Sequence, residues 1–398
     1  MSQTFAALAD LGVAVLDCEH RTPPAQDEGY PYIAIPDIHD GRVDLATSRR
    51  ISRSDLDSWT RRSKPAAGDI VVTRRGRVGD TAPIPDGVEC AIGQNLVLLR
   101  SDGSQIDQRY LRWATRGPAW RSEVERLTNV GAVFSSLNVR DIPQLRIPLF
   151  PMTTQQAIAE VLGALDDKIA QNSRTVGLLV ELADARFAQA VSRAEPGPQT
   201  FGDVAHVGGG GTPRTTVDEY WGGEVYWATP TDVTALSAPY LAKTARTITD
   251  EGLAACSSAL YPVGSILMTS RATIGKFALA QVPTAVNQGF IVVNAKNPAH
   301  QWWLFHEMKS RVSEFVSFSN GATFLELPRG RFKDLKVRLV AEETARGFGD
   351  LVGPLHATAA ALVVESNALS KTRDDLLPLL MSGKVRVKDA EKQVEAVL

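Results

Sequence analysis

Ala67-Gly68-Asp69-Ile70-Val71-Val72-Thr73-Arg74 returns later in the chain as Val263-Gly264-Ser265-Ile266-Leu267-Met268-Thr269-Ser270-Arg271, and the parallel runs on through Val78-Gly79 and Ile274-Gly275. Two further pairs follow in the same order. Ala91-Ile92-Gly93-Gln94-Asn95 parallels Ala285-Val286-Asn287-Gln288-Gly289, each leading into an apolar run, and Asn129-Val130-Gly131-Ala132-Val133-Phe134 matches Ser319-Asn320-Gly321-Ala322-Thr323-Phe324. All three pairs are offset by roughly 190 residues, the signature of one structural unit used twice. A chain of 398 residues is too long for one ordinary core and has room for two such units.

Each copy closes in the same way. Ile142 through Leu149 and Leu335 through Val340 read as alternating strands, and each feeds a long amphipathic stretch. After Pro151, Thr153 and Gln156 form a capping box. From there Ile158, Leu162, Leu165, Ile169, Val176, Leu179, Ala183 and Phe187 keep a heptad-like seam interrupted by the polar Asn172. The second stretch shows Phe348, Leu351, Leu355, Leu362, Leu369 and Leu376, with Pro354 expected as a kink or at the first helical position. A helix from Thr154 to Ser192 would be about 58 Å long. The fold class predicted is α+β: two similar modules and two long helices pairing as an antiparallel coiled coil about a pseudo-twofold axis. Glu195-Pro196-Gly197-Pro198 is the hinge into the second module.

Bulk properties exclude several classes. Hydrophobic residues at 44% and charged residues at 22% are ordinary globular values, and no uninterrupted apolar run approaches the roughly 20 residues that span a bilayer. No membrane partner is expected. The N-terminus carries Asp10 and Asp17 and no basic region, so a secretory signal is not expected and a cytoplasmic protein is. Cys18, Cys90 and Cys256 are odd in number and far apart, as packing thiols are. A net charge of -2 means that any nucleic-acid contact must come from local patches.

Three groups of residues carry a resemblance. They are Gly209-Gly210-Gly211-Thr212-Pro213 with Glu219-Tyr220-Trp221 and Trp227-Ala228-Thr229-Pro230; Leu165-Asp166-Asp167-Lys168-Ile169 with Asn172; and Arg373-Asp374-Asp375-Leu376-Leu377-Pro378 with Ser382-Gly383-Lys384-Val385. Their order resembles the specificity subunits of type I restriction-modification systems over nearly the whole chain. The resemblance implies two target recognition domains, at 1–152 and 196–342, each reading one half of a bipartite, asymmetric DNA site. Helices at 153–195 and 343–381 would act as spacer and docking surface, followed by a tail at 382–398. Two methyltransferase subunits and a restriction subunit would supply the chemistry. The first module departs from the pattern, opening on Asp17-Cys18-Glu19-His20-Arg21-Thr22-Pro23-Pro24.

The residues themselves argue against catalysis. Gly208 to Gly211 lacks the spacing of a dinucleotide loop and reads as a turn or a close backbone approach. Gly275-Lys276 fails as a phosphate loop because Ser270 stands where the first glycine belongs. No methyltransferase tetrapeptide is found. The six histidines, His20, His39, His206, His300, His306 and His356, show no ligand spacing, and Asp37, Asp40 and Asp44 fit surface turns better than a cation loop, so neither metal nor cofactor is expected. Glu307-Met308-Lys309 reads as an exposed helix face, and Trp302-Trp303 as core.

Charge is more informative. Arg49, Arg50, Arg53, Arg61, Arg62, Lys64, Arg74, Arg75 and Arg77 stand against only Asp55, Asp57 and Asp69, a local surplus of six positive charges. The second copy has Arg271 and Lys276 on the equivalent turn, then Arg329, Arg331, Lys333 and Lys336. Arginine suits phosphate and the guanine edge, so Arg49 to Arg77 together with Arg271, Lys276, Arg329 and Arg331 are the candidate contacts to double-stranded DNA. Gln94, Asn95, Asn287 and Gln288 could read adenine. Their recurrence in both copies favours a role in bracing a loop, with base readers expected where the copies diverge, as in Asp40 to Arg62 and Ala235 to Arg246. A duplicated protein-interaction scaffold is the alternative to DNA reading.

Overall fold

Ile70–Thr73 is a strand in which every residue is buried, because successive side chains enter different cores. Ile70 and Val72 join Val97, Leu99, Tyr110, Trp113 and Trp120 on one face. Val71 joins Leu96, Leu98, Ile33 and Ile38 on the other. A strand covered on both faces has no polar alternation, hence the continuous apolar run. Its counterpart Ile266–Thr269 does the same: Ile266 and Met268 share a core with Ile291 and Val293, while Leu267 packs with Phe290 and Val292.

The computed structural model describes residues 4–130, 135–192, 197–320 and 325–395. The third repeat pair, Gly131 to Phe134 with Gly321 to Phe324, and Glu195-Pro196 of the hinge lie outside them. The chain divides into two units, Met1–Ile169 with Ala368–Leu398, and Ala170–Asn367.

In the first unit an antiparallel sheet runs in the order Val13–Asp17, Leu96–Ser101, Ile70–Thr73, Thr81–Pro83. A three-stranded sheet holds Tyr30–Ile33 between Arg49–Ile51, antiparallel, and Ala91–Ile92, parallel. The second unit repeats both. Ala205–Gly208, Phe290–Ala295, Ile266–Thr269 and Phe277–Ala280 form the first, with Tyr240–Leu241 added in parallel at its edge. Trp221–Ala228 stands between Arg246–Ile248 and Thr284–Val286 in the second. Mixed sheets with packed helices make this α+β.

The closing strands are shorter than the sequence suggests. Val139–Gln144 is a 3-10 turn, and only Arg146–Leu149 is a strand, paired with Thr4–Ala7. The second copy has a single bridge, Thr200 to Lys336, where Leu335 to Val340 was expected to form a strand.

Both long helices have 40 residues, Met152–Val191 and Glu342–Met381. In the first unit Ile158, Leu162, Leu165 and Ile169 share a core with Leu369, Leu376, Leu377 and Leu380. In the second, Val176 clusters with Ala359, whereas Ala183, Phe187 and Val191 cluster with Val352, Phe348 and Ala345, which is an antiparallel pairing. The seam of the second helix differs from the leucine pattern. Leu351 is 50% exposed, and the buried line is Ala345, Phe348, Val352, His356 and Ala359, because a histidine occupies a core position that a leucine count skips. Pro354 lies on an exposed side inside the helix, not at its first position. Among the described residues this helix alone is long and apolar enough to cross a membrane, with a window of mean hydropathy 1.3.

Candidate nucleic-acid interface

Thr73 and Thr269 each end a buried strand and organise the turn that follows. Thr73 Oγ1 donates to the Arg77 carbonyl and accepts from Asp80 N at 3.0 Å. Thr269 Oγ1 donates to the Thr273 carbonyl and accepts from Lys276 N at 3.0 Å. The Gly79 and Gly275 amides close each turn onto the same threonines at 2.8 and 2.9 Å. Both glycines have positive φ, and a Cβ there would meet Val124 or Val312 at under 3 Å, so two requirements exclude other residues.

Two more segments dock on each turn. Arg74 N donates to the Asn95 carbonyl, and Leu137 N to the Arg74 carbonyl. Ser270 N donates to the Gly289 carbonyl, and Leu327 N to the Ser270 carbonyl. Arg75 bridges Ser136, and Arg271 bridges Glu326. Each unit therefore gathers a basic turn, a glutamine loop and a third segment at one end of its sheet. Behind it, Gln108 and Gln301 tie the opposite strand end, each donating to a glycine carbonyl, Gly68 or Gly264, at 2.7 and 2.8 Å.

The basic residues do not form one uniform face. Arg49 donates to the Pro23 carbonyl and Arg50 to that of Leu45. Arg53 pairs with Asp57 and Glu89, and Arg62 with Glu19. Arg77 pairs with Asp80 and donates to the carbonyls of Ile35 and Ile38, while half-buried Arg74 reaches Leu137 O. Arg61, Lys64 and Arg75 are exposed, and among the described residues none has a carboxylate partner. In the second unit Arg271 pairs with Glu326, Arg331 lies over the Phe318 ring, Lys276 is exposed, and Arg329 lies beside Gly209.

The glycine run is a close approach of backbone to backbone: a Cβ on Gly210 would sit 1.7 Å from the Val286 carbonyl. Asp37 and Asp44 cap local turns, accepting from Ala34 N and Ala46 N. Glu307 corrects the exposed-face expectation. It is fully buried, held by Arg311 at 3.0 Å and Arg338 at 2.8 Å. The histidine reading also needs correction, since ligand atoms of Asp17, Cys18 and His20 lie within 4.8 Å of one another. His20 turns Nε2 to Asp17 at 2.9 Å and Nδ1 to Cys18 at 3.9 Å, so opposite ring nitrogens face the two groups. Burial, with Asp17 nearby, pushes the Cys18 thiol up, away from the thiolate a metal takes.

A sequence profile described as the type I restriction modification DNA specificity domain matches residues 19–176 and 198–345. The chain belongs to this family. Within the family, the chain is 37% identical over 137 residues to the type I restriction enzyme MjaIX specificity subunit of Methanocaldococcus jannaschii, covering 34% of this chain and 32% of that protein. To the putative MjaX specificity subunit of the same organism it is 20% identical over 387 residues, covering 90% and 88%. The fold is that of a crystal structure of the type I restriction-modification system S subunit from M. genitalium, with TM-score 0.63, 16% identity and 96% of both chains covered. The two profile matches fall on the two copies of this specificity-family repeat, each containing one three-segment cluster.

Two buried polar nodes escaped the sequence reading. In the first unit Asp166 accepts from Arg373 at 2.6 Å, from Arg42 at 3.0 Å and from Arg112. Burial works against its charge, but Arg112, Arg42 and Arg373 outweigh it and hold the carboxyl below the usual range. In the second unit His306 contacts Asp184 at 2.8 Å and His356 at 3.0 Å, and His356 contacts the Tyr240 hydroxyl at 2.8 Å. Burial, with His306 and Lys309 nearby, pushes His356 down to about 3. The signal was available: Asp166 lies four residues after Leu162, and His356 four after Val352, both on the buried side.

Proposed function

We propose that this chain is the DNA-reading specificity subunit of a type I restriction-modification complex and performs no chemistry itself. Recognition domains over 1–152 and 196–342 each read one half of a bipartite, asymmetric site, and the helices at 153–195 and 343–381 dock two modification methyltransferase subunits and a restriction subunit. The assembly works on double-stranded DNA, in the cytoplasm. One observation carries the reading: the same hydrogen-bonded cluster of basic turn, glutamine loop and third segment occurs in both units, with Arg75 and Lys276 on its exposed turns. A shared scaffold with divergent surroundings is what two heads of different specificity need, since phosphate contacts position and base contacts specify.

Within the basic stretch, Lys64 and Arg75 are, among the described residues, the charges free for phosphate, while Arg49, Arg50, Arg61, Arg74 and Arg77 serve local carbonyls. Arg75→Ala is the clean test. In the assembled complex it should reduce the slope of log affinity against log salt by about 1 and leave subunit assembly intact, as loss of one phosphate contact requires. An unchanged slope would contradict a phosphate contact there.

A further inference from the structure

Modules of different specificity should keep what both need and vary what each reads. Most shared polar side chains at the clusters are consumed internally: Thr73 and Thr269 in their turns, Gln108 and Gln301 behind the sheet. Gln94 and Gln288 are shared as well, but differ in this respect. Their loops are held through the main chain, by Gly93 N to Ile33 O at 2.7 Å and Arg74 N to Asn95 O at 2.8 Å in one unit. Asn287 N to Ala228 O at 3.0 Å and Ser270 N to Gly289 O at 2.8 Å do the same in the other. Both glutamine side chains are exposed. The Gln94 main-chain N–H donates to the Tyr32 hydroxyl at 3.3 Å, but among the described residues its side-chain amide has no hydrogen-bond partner, so the side chain braces nothing. Among the described residues Gln288 bonds only through its side-chain oxygen, which accepts from Thr212 Oγ1 at 2.7 Å, so neither of its amide hydrogens has a partner there. Each loop is hydrogen-bonded to the turn that bears Arg75 or Arg271.

We propose that Gln94 and Gln288 are equivalent, sequence-independent DNA contacts, each donating an amide N–H to a sugar-phosphate oxygen of its own half-site and so fixing the register of its module on the duplex. The proposal rests on the reading that the modules bind DNA half-sites. A base-reading role would demand the same base at this register in both halves of an asymmetric site. An internal bracing role would demand a bond that the Gln94 side chain does not make. A neutral donor beside a cationic turn fits phosphate and sugar oxygens, which every sequence offers.

The test uses the complex assembled with its modification subunits, carrying Gln94→Ala or Gln288→Ala. Equilibrium binding is measured over a series of salt concentrations to the duplex bearing the methylated motif, to duplexes with each base pair of that motif changed, and to an unrelated duplex. Each variant should lose about two- to tenfold in affinity on every duplex alike, with the salt slope unchanged because a neutral amide releases no counterion. Thermal unfolding of the variants should match the parent. A loss confined to one position of the motif, with relaxed discrimination there, would overturn the proposal in favour of base reading. Unchanged affinity, with or without a lowered melting temperature, would overturn it in favour of a structural or neutral residue. If the parent complex itself failed to distinguish its motif from unrelated DNA, the DNA-reading assignment would fall instead, and that outcome is visible before any variant is made.

Discussion

Asp166 and His356 each stand fifteenth in a 40-residue helix and occupy equivalent places in the two modules, yet the chemistry around them is opposite. Asp166 is an ionised hub for Arg42, Arg112 and Arg373. At His356 the donors and acceptors satisfy one another without net charge on either ring. Asp184 accepts from His306 Nδ1–H, His306 Nε2 then accepts from His356 Nε2–H, and His356 Nδ1 accepts from the Tyr240 hydroxyl. Lys309 completes the arrangement on Asp184 at 2.7 Å. Duplication has preserved the need for a polar group beneath the helix while leaving its protonation chemistry free to change. The two modules should therefore respond differently to mutation and to acid.

The largest difference should follow Asp166→Ala. Removing the carboxylate leaves three guanidinium groups without their common partner, two of them, on Arg112 and Arg373, well buried, and a cost of about 3–5 kcal/mol is expected in urea unfolding. A loss below about 1 kcal/mol would mean that the arginines rearrange at little cost and that the hub is incidental.

Acid should single out the second module. His356 binds a proton near pH 6.5 when unfolded but only near about 3 when folded, so between these values the unfolded state holds the extra proton. Stability present above pH 6.5 is then lost as pH falls, with a slope of up to ~1.4 kcal/mol per pH unit. His306 beside it is also pushed down by burial and adds to this loss, so His356→Phe should reduce the slope without abolishing it. Asp166, held low, adds its own loss only below the ordinary carboxylate range. Equal slopes for parent and variant between pH 6 and about 4 would contradict the neutral-pair description.

The smallest effect concerns the seam. Leu351 is half exposed and Val352 fully buried, so Leu351→Gln should change stability by no more than about 0.5 kcal/mol, whereas Val352→Ala should cost about 1–3 kcal/mol. The reverse order would restore the leucine-based seam.

The duplication was legible because it is written in backbone requirements. The positive φ of Gly79 and Gly275 and the paired hydrogen bonds of Thr73 and Thr269 leave the same letters in both copies. The buried strands were equally plain as unbroken apolar runs. What sequence could not give was the state of each charge. Arg50, Arg74 and Arg77 look like Arg75 in a row of letters, but they face carbonyls that the fold brings from 5 to 63 positions away, and only coordinates separate a braced arginine from a free one. Glu307 was misplaced for the same reason, since Arg338, 31 residues further on, draws it inside. The polar nodes were hidden by seams traced through apolar residues alone, in which Asp166 and His356 do not count.

The most direct test of two reading heads on one scaffold is a module exchange. Residues 196–342 are replaced by the equivalent segment of a family member with a different target, the chimera is expressed with the parental modification subunits, and methylated DNA is sequenced. One half of the methylated motif should change to that of the donor while the other half stays parental. A motif unchanged in both halves, or altered in both, would contradict the assignment of one half-site to each module.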